Sequence, residues 1–320
     1  MKHWVIGRGG LLGSSVDKAL SGRGSVYRNT SVLNWNSKSI LSDQIELAVD
    51  EFSQSSGSDD WSIYWCAGAG TVQSSEELFE HEIATIKQML FCTKRSFGQR
   101  ISNGTLFFAS SIGGMYSGSS HHPIDYQTEP VPTGLYGRQK QRIENLFSAF
   151  SSENNCRLLI GRIANLYGPN QNLAKNQGLI SSICKAKILQ QPVNIYSELD
   201  TVRNFIYADD AGWQIVQQVE ALVTQLTDRR IIRLVASRHN YSISAILKEI
   251  ENVFGEPVCY SLRRNPDPNM YPRNLSVRIH KDVTQLEPGS VSLNVGIGNV
   301  RRELIHAHQM GRLHDRVIHV

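Results

Sequence analysis

Three glycines between the first apolar run and the first helical pattern constrain this chain more than any other feature. His3-Trp4-Val5-Ile6 reads as a short apolar strand, Leu11 to Leu20 carries apolar residues at helical spacing, and Gly7, Gly10 and Gly13 fill the junction as GxxGxxG. Glycines there let the backbone turn tightly and approach a pyrophosphate, while the helix start offers its amides and positive dipole end. Ser25 to Arg28 follows as a second strand after a Gly-rich turn, completing a βαβ unit with parallel pairing. An ordinary tight turn also uses such glycines, and it is their place at the first strand–helix junction that points to a dinucleotide.

The alternation continues. Ile45 to Phe52 reads as helix, Trp61 to Cys66 as strand, Leu78 to Phe97 as a long helix, Thr105 to Ser110 as a buried strand, Tyr136 to Phe150 as helix and Arg157 to Ile163 as strand. Strands alternating with helices predict an α/β fold, a Rossmann-type doubly wound parallel sheet. The pattern changes after Tyr167-Gly168-Pro169, with polar loops, a helix from Leu179 to Leu189, a short strand at Val193 to Tyr196 and Pro-rich text from Arg264 to Pro272. Asp209 to Leu222 reads as helix and Arg230 to Ala236 as strand, so the chain is expected to return to the main sheet. The expected division is a dinucleotide-binding domain over 1–166 with 205–237 returning to it. A smaller C-terminal substrate-binding lobe takes 167–204 and 238–320.

Composition narrows the partners. With 320 residues the chain can bury a full core, and a net charge of +4 without any basic block argues against nucleic acid as partner. The 5 cysteines, Cys66, Cys92, Cys156, Cys184 and Cys259, are widely spaced and odd in number, so reduced thiols are expected. The opening apolar run is cut by Arg8, too short for a signal core, and no stretch approaches a membrane span. A cytoplasmic protein with no membrane partner is the expectation.

The glycine turn and the start of its helix, Gly7, Arg8, Gly10, Leu11, Leu12 and Gly13, are the first candidate cofactor contacts. An NAD-selective unit usually ends its second strand with an acid for the ribose 2′-hydroxyl, and none is there. Arg28, with Thr30 or Ser31, suits a 2′-phosphate instead, and Arg8 suits the adenine or the same clamp, although each is also an ordinary solvated charge. NADP is therefore the expected cofactor, with NAD open. Cys66-Ala67-Gly68-Ala69-Gly70 supplies the small residues needed where a cofactor crosses a sheet edge, with Cys66, Ala67 and Gly68 as contacts and Cys66 as a packed thiol.

The chemistry is concentrated in Tyr136-Gly137-Arg138-Gln139-Lys140, a YxxxK that places Tyr136 and Lys140 on one helix face, one turn apart. A phenol titrates near ~10, so an adjacent ammonium and a positive nicotinamide help it act as acid or base at neutral pH. Ser111, or its neighbour Ser110, ends a buried strand where a hydroxyl can bond a reacting oxygen as charge shifts upon it. Tyr136 and Lys140 also count as cofactor contacts.

Together with Arg162-Ile163-Ala164-Asn165-Leu166-Tyr167-Gly168-Pro169, Gln177-Gly178-Leu179-Ile180 and Val202-Arg203-Asn204-Phe205-Ile206-Tyr207-Ala208-Asp209-Asp210, these words resemble, in order and over most of the chain, the extended short-chain dehydrogenases, the NAD-dependent epimerase and dehydratase family. The resemblance implies an enzyme of polysaccharide biosynthesis acting on a nucleotide-diphosphate sugar. Asn165, Leu179 and Arg203 would contact the substrate beside Ser111, and Arg203 would grip the diphosphate. It also implies a homodimer through the helices beginning near Leu78 and Tyr136, and no metal.

Departures from the family pattern refine the reaction. Glu82 stands where the family often carries Asn, which puts a structural-water or relay role there in doubt. Ile112-Gly113-Gly114 lacks the Asp-Glu pair that 4,6-dehydratases use and the cysteine of the fucose synthase branch. Two reactions at C4 remain: reduction of a 4-keto sugar with NADPH, favoured by Arg8 and Arg28, and 4-epimerisation with tightly held NAD. A non-catalytic dinucleotide sensor is the alternative from another class, and the presence of both Tyr136 and Lys140 speaks against it.

Overall fold

The computed structural model describes residues 1–68, 70, 74–173, 178–224, 227–263, 272–279, 290–313 and 318–319. Ala69, Gln177 and the run from Arg264 to residue 271, all used above, lie outside the described residues.

Six parallel strands form the main sheet: β1 (Lys2–Ile6), β2 (Ser25–Tyr27), β3 (Trp61–Trp65), β4 (Gly104–Ser111), β5 (Arg157–Ile163) and β9 (Arg230–Val235), in the order β2-β1-β3-β4-β5-β9. The reversal of strand order beside β1 creates a crevice at the strands' carboxyl ends, where such sheets bind ligands. Strand interiors alternate between two cores. Trp4, Ile6, Ile63, Trp65, Leu106, Phe108, Leu158 and Ile160 face one side. There they meet helices α2 (Lys38–Ser56), α3 (Glu76–Phe97) and α5 (Leu135–Asn154) through Phe52, Ile86, Met89 and Phe147. Val5, Tyr64, Phe107 and Leu159 face the other, against α1 (Leu11–Ala19) and α7 (Ala208–Thr224) through Val16, Leu20, Ile215 and Val219. Both faces are covered, so the strands must read as nearly continuous apolar runs, and all five residues of β3 are buried.

The remaining elements are α4 (Ile112–Met115), β6 (Asn165–Tyr167), α6 (Leu179–Ile188), β7 (Val193–Ile195), β8 (Val202–Tyr207), β10 (Asn240–Ser242), α8 (Ile243–Phe254), β11 (Tyr260–Leu262), β12 (Asn274–Leu275), α9 (Leu293–Gln309) and β13 (Ile318–His319). β8 is the centre of a second sheet with β6, β10 and β12, while β7 pairs with β11 and β13. A separate apolar core of Ile180, Ile183, Val193, Ile195, Phe205, Ile246, Ile250, Ile297 and Val300 joins α6, α8 and α9 to these short strands. A smaller cluster of Ile112, Met115, Tyr116, Ile124, Leu234, Leu275 and Val277 ties it to the carboxyl edge of the main sheet. The α/β class and parallel sheet expected from the sequence are found. Among the described residues no helix is long and apolar enough to cross a membrane.

Candidate active site

The glycine turn is shaped by two close approaches. Gly7 adopts φ of +89°, and a Cβ there would lie 2.6 Å from the Ala67 nitrogen; a Cβ at Gly13 would lie 2.1 Å from the Gly7 carbonyl oxygen. Side chains at either position would force β1, β3 and α1 apart. Gly10 differs, because a Cβ there would touch nothing closer than the Gly7 oxygen at 3.4 Å, so the space before α1 is open. α1 begins there with no side-chain cap and no acid in its first turn, which leaves the amides around Leu11, Leu12 and Gly13 to an anion. This cradle fits a pyrophosphate. Arg8 is exposed on the turn, and the Cys66 amide donates to the Ile6 carbonyl at 2.9 Å. Burial pushes the Cys66 thiol up, so it stays protonated beside Ala67 and Gly68.

Arg28, immediately after β2, is held by Asp17 of α1, with its second contact at 2.9 Å, and remains 44% exposed. Thr30 donates to Glu51 of α2 at 2.9 Å, and Tyr27 donates to the same carboxylate. These two carboxylates escape a reading confined to the strand end, because each arrives from a neighbouring helix. A 2′-phosphate approaching Arg28 must compete with Asp17.

The carboxyl end of β4 carries the serine pair, and the two side chains have different partners. Ser110 is buried and donates to Glu144 Oε1 at 2.5 Å. Ser111 caps α4 by accepting from the Gly114 amide at 3.1 Å, so its own proton is still available to a ligand. α4 then packs its bare backbone on α5. A Cβ at Gly114 would lie 3.0 Å from the Tyr136 ring, and one at Gly137 would lie 2.1 Å from the Gly114 oxygen. Ser111 and Tyr136 are brought to one place by that contact. Lys140, one turn beyond Tyr136, has its Nζ 5.8 Å from the Tyr136 ring centroid and 5.1 Å from that of Phe108.

Glu82 of α3 completes the surroundings of Lys140, with Oε1 at 3.4 Å from Nζ and both side chains 9% exposed. Burial acts to discharge the Lys140 ammonium, but the Glu82 carboxylate first, with the Tyr136 oxygen and Glu144 adding to it, outweighs that effect and raises the Lys140 pKa, so the cation persists at neutral pH. Below lies a network the sequence does not announce. Arg162 of β5 bonds Glu144 through Nε at 3.1 Å and Nη2 at 2.8 Å, and donates to the Tyr116 hydroxyl at 2.7 Å. Glu144 follows Lys140 by one further turn on the same helical face, the one signal that could have flagged it.

The second sheet and α6 place the other candidates. Asn165 of β6 donates to the Asn204 carbonyl of β8 at 3.0 Å, so two of the sequence motifs are physically joined. Arg203 of β8 donates to the Val202 carbonyl at 2.9 Å, and burial pushes its guanidinium down to about 10. A desolvated cation of this kind favours an anionic ligand. Leu179 opens α6, which starts from Gly178 at φ +101° with no side-chain cap and no acid in its first turn.

Comparison with known proteins agrees with this fold. The model of the NAD dependent epimerase/dehydratase family matches residues 4–228. The chain belongs to that family. Among curated members, it is similar to dTDP-L-rhamnose 4-epimerase from Burkholderia thailandensis, 25% identical over 46% of this chain and 44% of the relative. It is also similar to dTDP-4-dehydro-6-deoxyglucose reductase from Escherichia coli, 30% identical over 33% of each. The chain thus matches less than half the length of these curated relatives. Among solved structures it shares the fold of UDP-glucose 4-epimerase from Thermus thermophilus in complex with NAD, with TM-score 0.74, 18% identity, and coverage of 96% of this chain and 100% of that one. RMD from Pseudomonas aeruginosa complexed with NADPH gives TM-score 0.74 at 16% identity, covering 95% and 98%.

Proposed function

We propose that this member of the family is a nicotinamide-dependent enzyme that reduces a 4-keto sugar carried on a nucleoside diphosphate, with NADP as cofactor. The observation that carries the reading is the meeting of Ser111, Tyr136 and Lys140 at the carboxyl edge of the sheet, beside an anion cradle at the start of α1. A reduced nicotinamide, when bound, supplies the hydride that adds to C4 and is itself oxidised. Tyr136 gives its hydroxyl proton to the carbonyl oxygen, so ketone, hydride and proton together make the alcohol. Ser111 donates a hydrogen bond to that oxygen as negative charge develops on it. Lys140 holds positive charge near the resulting phenolate, which regains its proton from solvent. Arg203 neutralises the diphosphate, with Asn165 and the start of α6 at Leu179 as further contacts.

The second reading, 4-epimerisation with retained NAD, is favoured by one observation: Arg28 is already paired with Asp17, so a 2′-phosphate gains less there. Mass spectrometry of the nucleotide released on denaturing freshly purified protein separates the two. NADP(H) or an empty site supports the reductase, and turnover of 4-keto nucleotide sugars with NADPH would then be assayed. Stoichiometric NAD would overturn it in favour of the epimerase.

A further inference from the structure

Lys140 stands between two groups that compete for its charge. On its own helix is the Tyr136 ring, 5.8 Å away; across the interface with α3 is the Glu82 carboxylate, 3.4 Å away. Among the described residues the other neighbours of Lys140 are Phe108, Gly68 and Glu144. Phe108 of β4 offers only its ring face at 5.1 Å, and a Cβ at Gly68 would lie 3.8 Å from Nζ, so Gly68 leaves room for the pair. Glu144, the remaining carboxylate near Lys140, already has both oxygens bound, one to Ser110 and Arg162 and the other to Arg162. Glu82 is therefore the carboxylate that answers the lysine. An amide at this position would hydrogen-bond without cancelling charge; a carboxylate does both.

We propose that Glu82 is a positioning residue that draws the Lys140 ammonium toward α3, leaving less positive charge at Tyr136 and suiting the pair to proton delivery to a carbonyl oxygen. The proposal rests on the reductase reading for the direction of transfer, but not for the pairing itself. With the ammonium partly neutralised by the carboxylate at 3.4 Å, less positive potential reaches the phenol. No reaction beyond the proton transfer already described is needed, and Glu82 itself touches neither substrate nor the reacting carbon.

The test uses the full chain and the variants Glu82→Gln and Glu82→Asp. Lysines are reductively methylated with ¹³C-formaldehyde, the Lys140 signal is assigned by its absence from Lys140→Arg, and its pH titration is followed by NMR without any substrate. In Glu82→Gln the midpoint should fall by at least about one pH unit, the effect of removing a unit charge at this distance even with the full screening of water, and in Glu82→Asp it should stay near that of the parent. In NADPH-dependent reduction, the alkaline limb of the rate profile should move toward neutrality in Glu82→Gln by a similar amount and return in Glu82→Asp. An unmoved Lys140 titration overturns the pairing, and a moved titration with a fixed alkaline limb overturns its effect on Tyr136. If Lys140 shifts as expected and the parent reduces no 4-keto nucleotide sugar, the reductase reading fails and the pairing stands.

Discussion

At the carboxyl edge of the main sheet, Ser111, Tyr136 and Lys140 are fixed by elements whose other faces lie in the apolar core, and beneath them Glu144 and Arg162 are bonded to each other and buried. In the second sheet, Asn165 and Arg203 ride on strands of three and six residues that pair with other short strands, and Leu179 begins α6 directly after Gly178. The first region is built for invariance of position, as proton and hydride transfer require. In the proposed function the second region holds its ligand by charge, an attraction that falls off more gradually with distance than proton transfer does. Damage to the first should therefore remove turnover or stability, and damage to the second should weaken substrate binding alone.

The largest effect tests the first half of that contrast. Tyr136→Phe should lower turnover by roughly 10²–10⁴-fold while dinucleotide binding, measured by calorimetry, is retained. Retained activity would show that another group moves the proton. Next, Arg162→Met should destabilise the protein by about 3–5 kcal/mol in urea unfolding, because Glu144 becomes a buried carboxylate without a cation. The double variant Arg162→Met with Glu144→Leu should recover much of that loss. Equal destabilisation of single and double variants would show that the pair matters for packing rather than charge.

In the lobe, Arg203→Ala should raise KM for the nucleotide sugar by about tenfold or more, with a smaller change in kcat and none in cofactor affinity. Because burial lowers the Arg203 pKa to about 10, its cation is complete at neutral pH and is lost as pH rises through that value. Parent affinity for the diphosphate should weaken in the same window, and the variant should lack this dependence. The smallest effect belongs to the adenosine end. Arg28→Ala should weaken NADP binding only a few-fold at moderate salt and leave NAD unchanged, since the guanidinium is exposed and shared with Asp17.

How much of this was legible in the sequence follows the same divide. The parallel sheet was readable because strands covered on both faces are apolar throughout, as in Trp61–Trp65, and because the glycine turn marks the first crossover. Helices α8 and α9 were not identified, although Ser242, whose side chain accepts from the Ala245 amide, and Gly255 bracket an apolar pattern at Ile243, Ile246, Leu247 and Ile250. Their core exists only when α6, β7 and β8 are assembled from distant segments, which periodicity within one window does not reveal. In the candidate site, the YxxxK spacing places Tyr136 and Lys140 by helical geometry alone. Choosing between Ser110 and Ser111 required the structure, since adjacent residues on a strand point to opposite faces and only Ser110 meets Glu144. Asp17 and Glu51 were missed because an ion pair or hydrogen bond between distant elements leaves no local pattern.

The three-residue strand β2 lies at one end of the sheet order and contacts the core mainly through Tyr27. The residues just after it can therefore vary without disturbing Ser111, Tyr136 or Lys140, which lie beyond β1 and β3. For an evolving lineage this separates two traits. Preference between dinucleotides can drift through single surface substitutions at the rim, while the chemistry is shielded from the same mutations by two intervening strands of tryptophan and isoleucine.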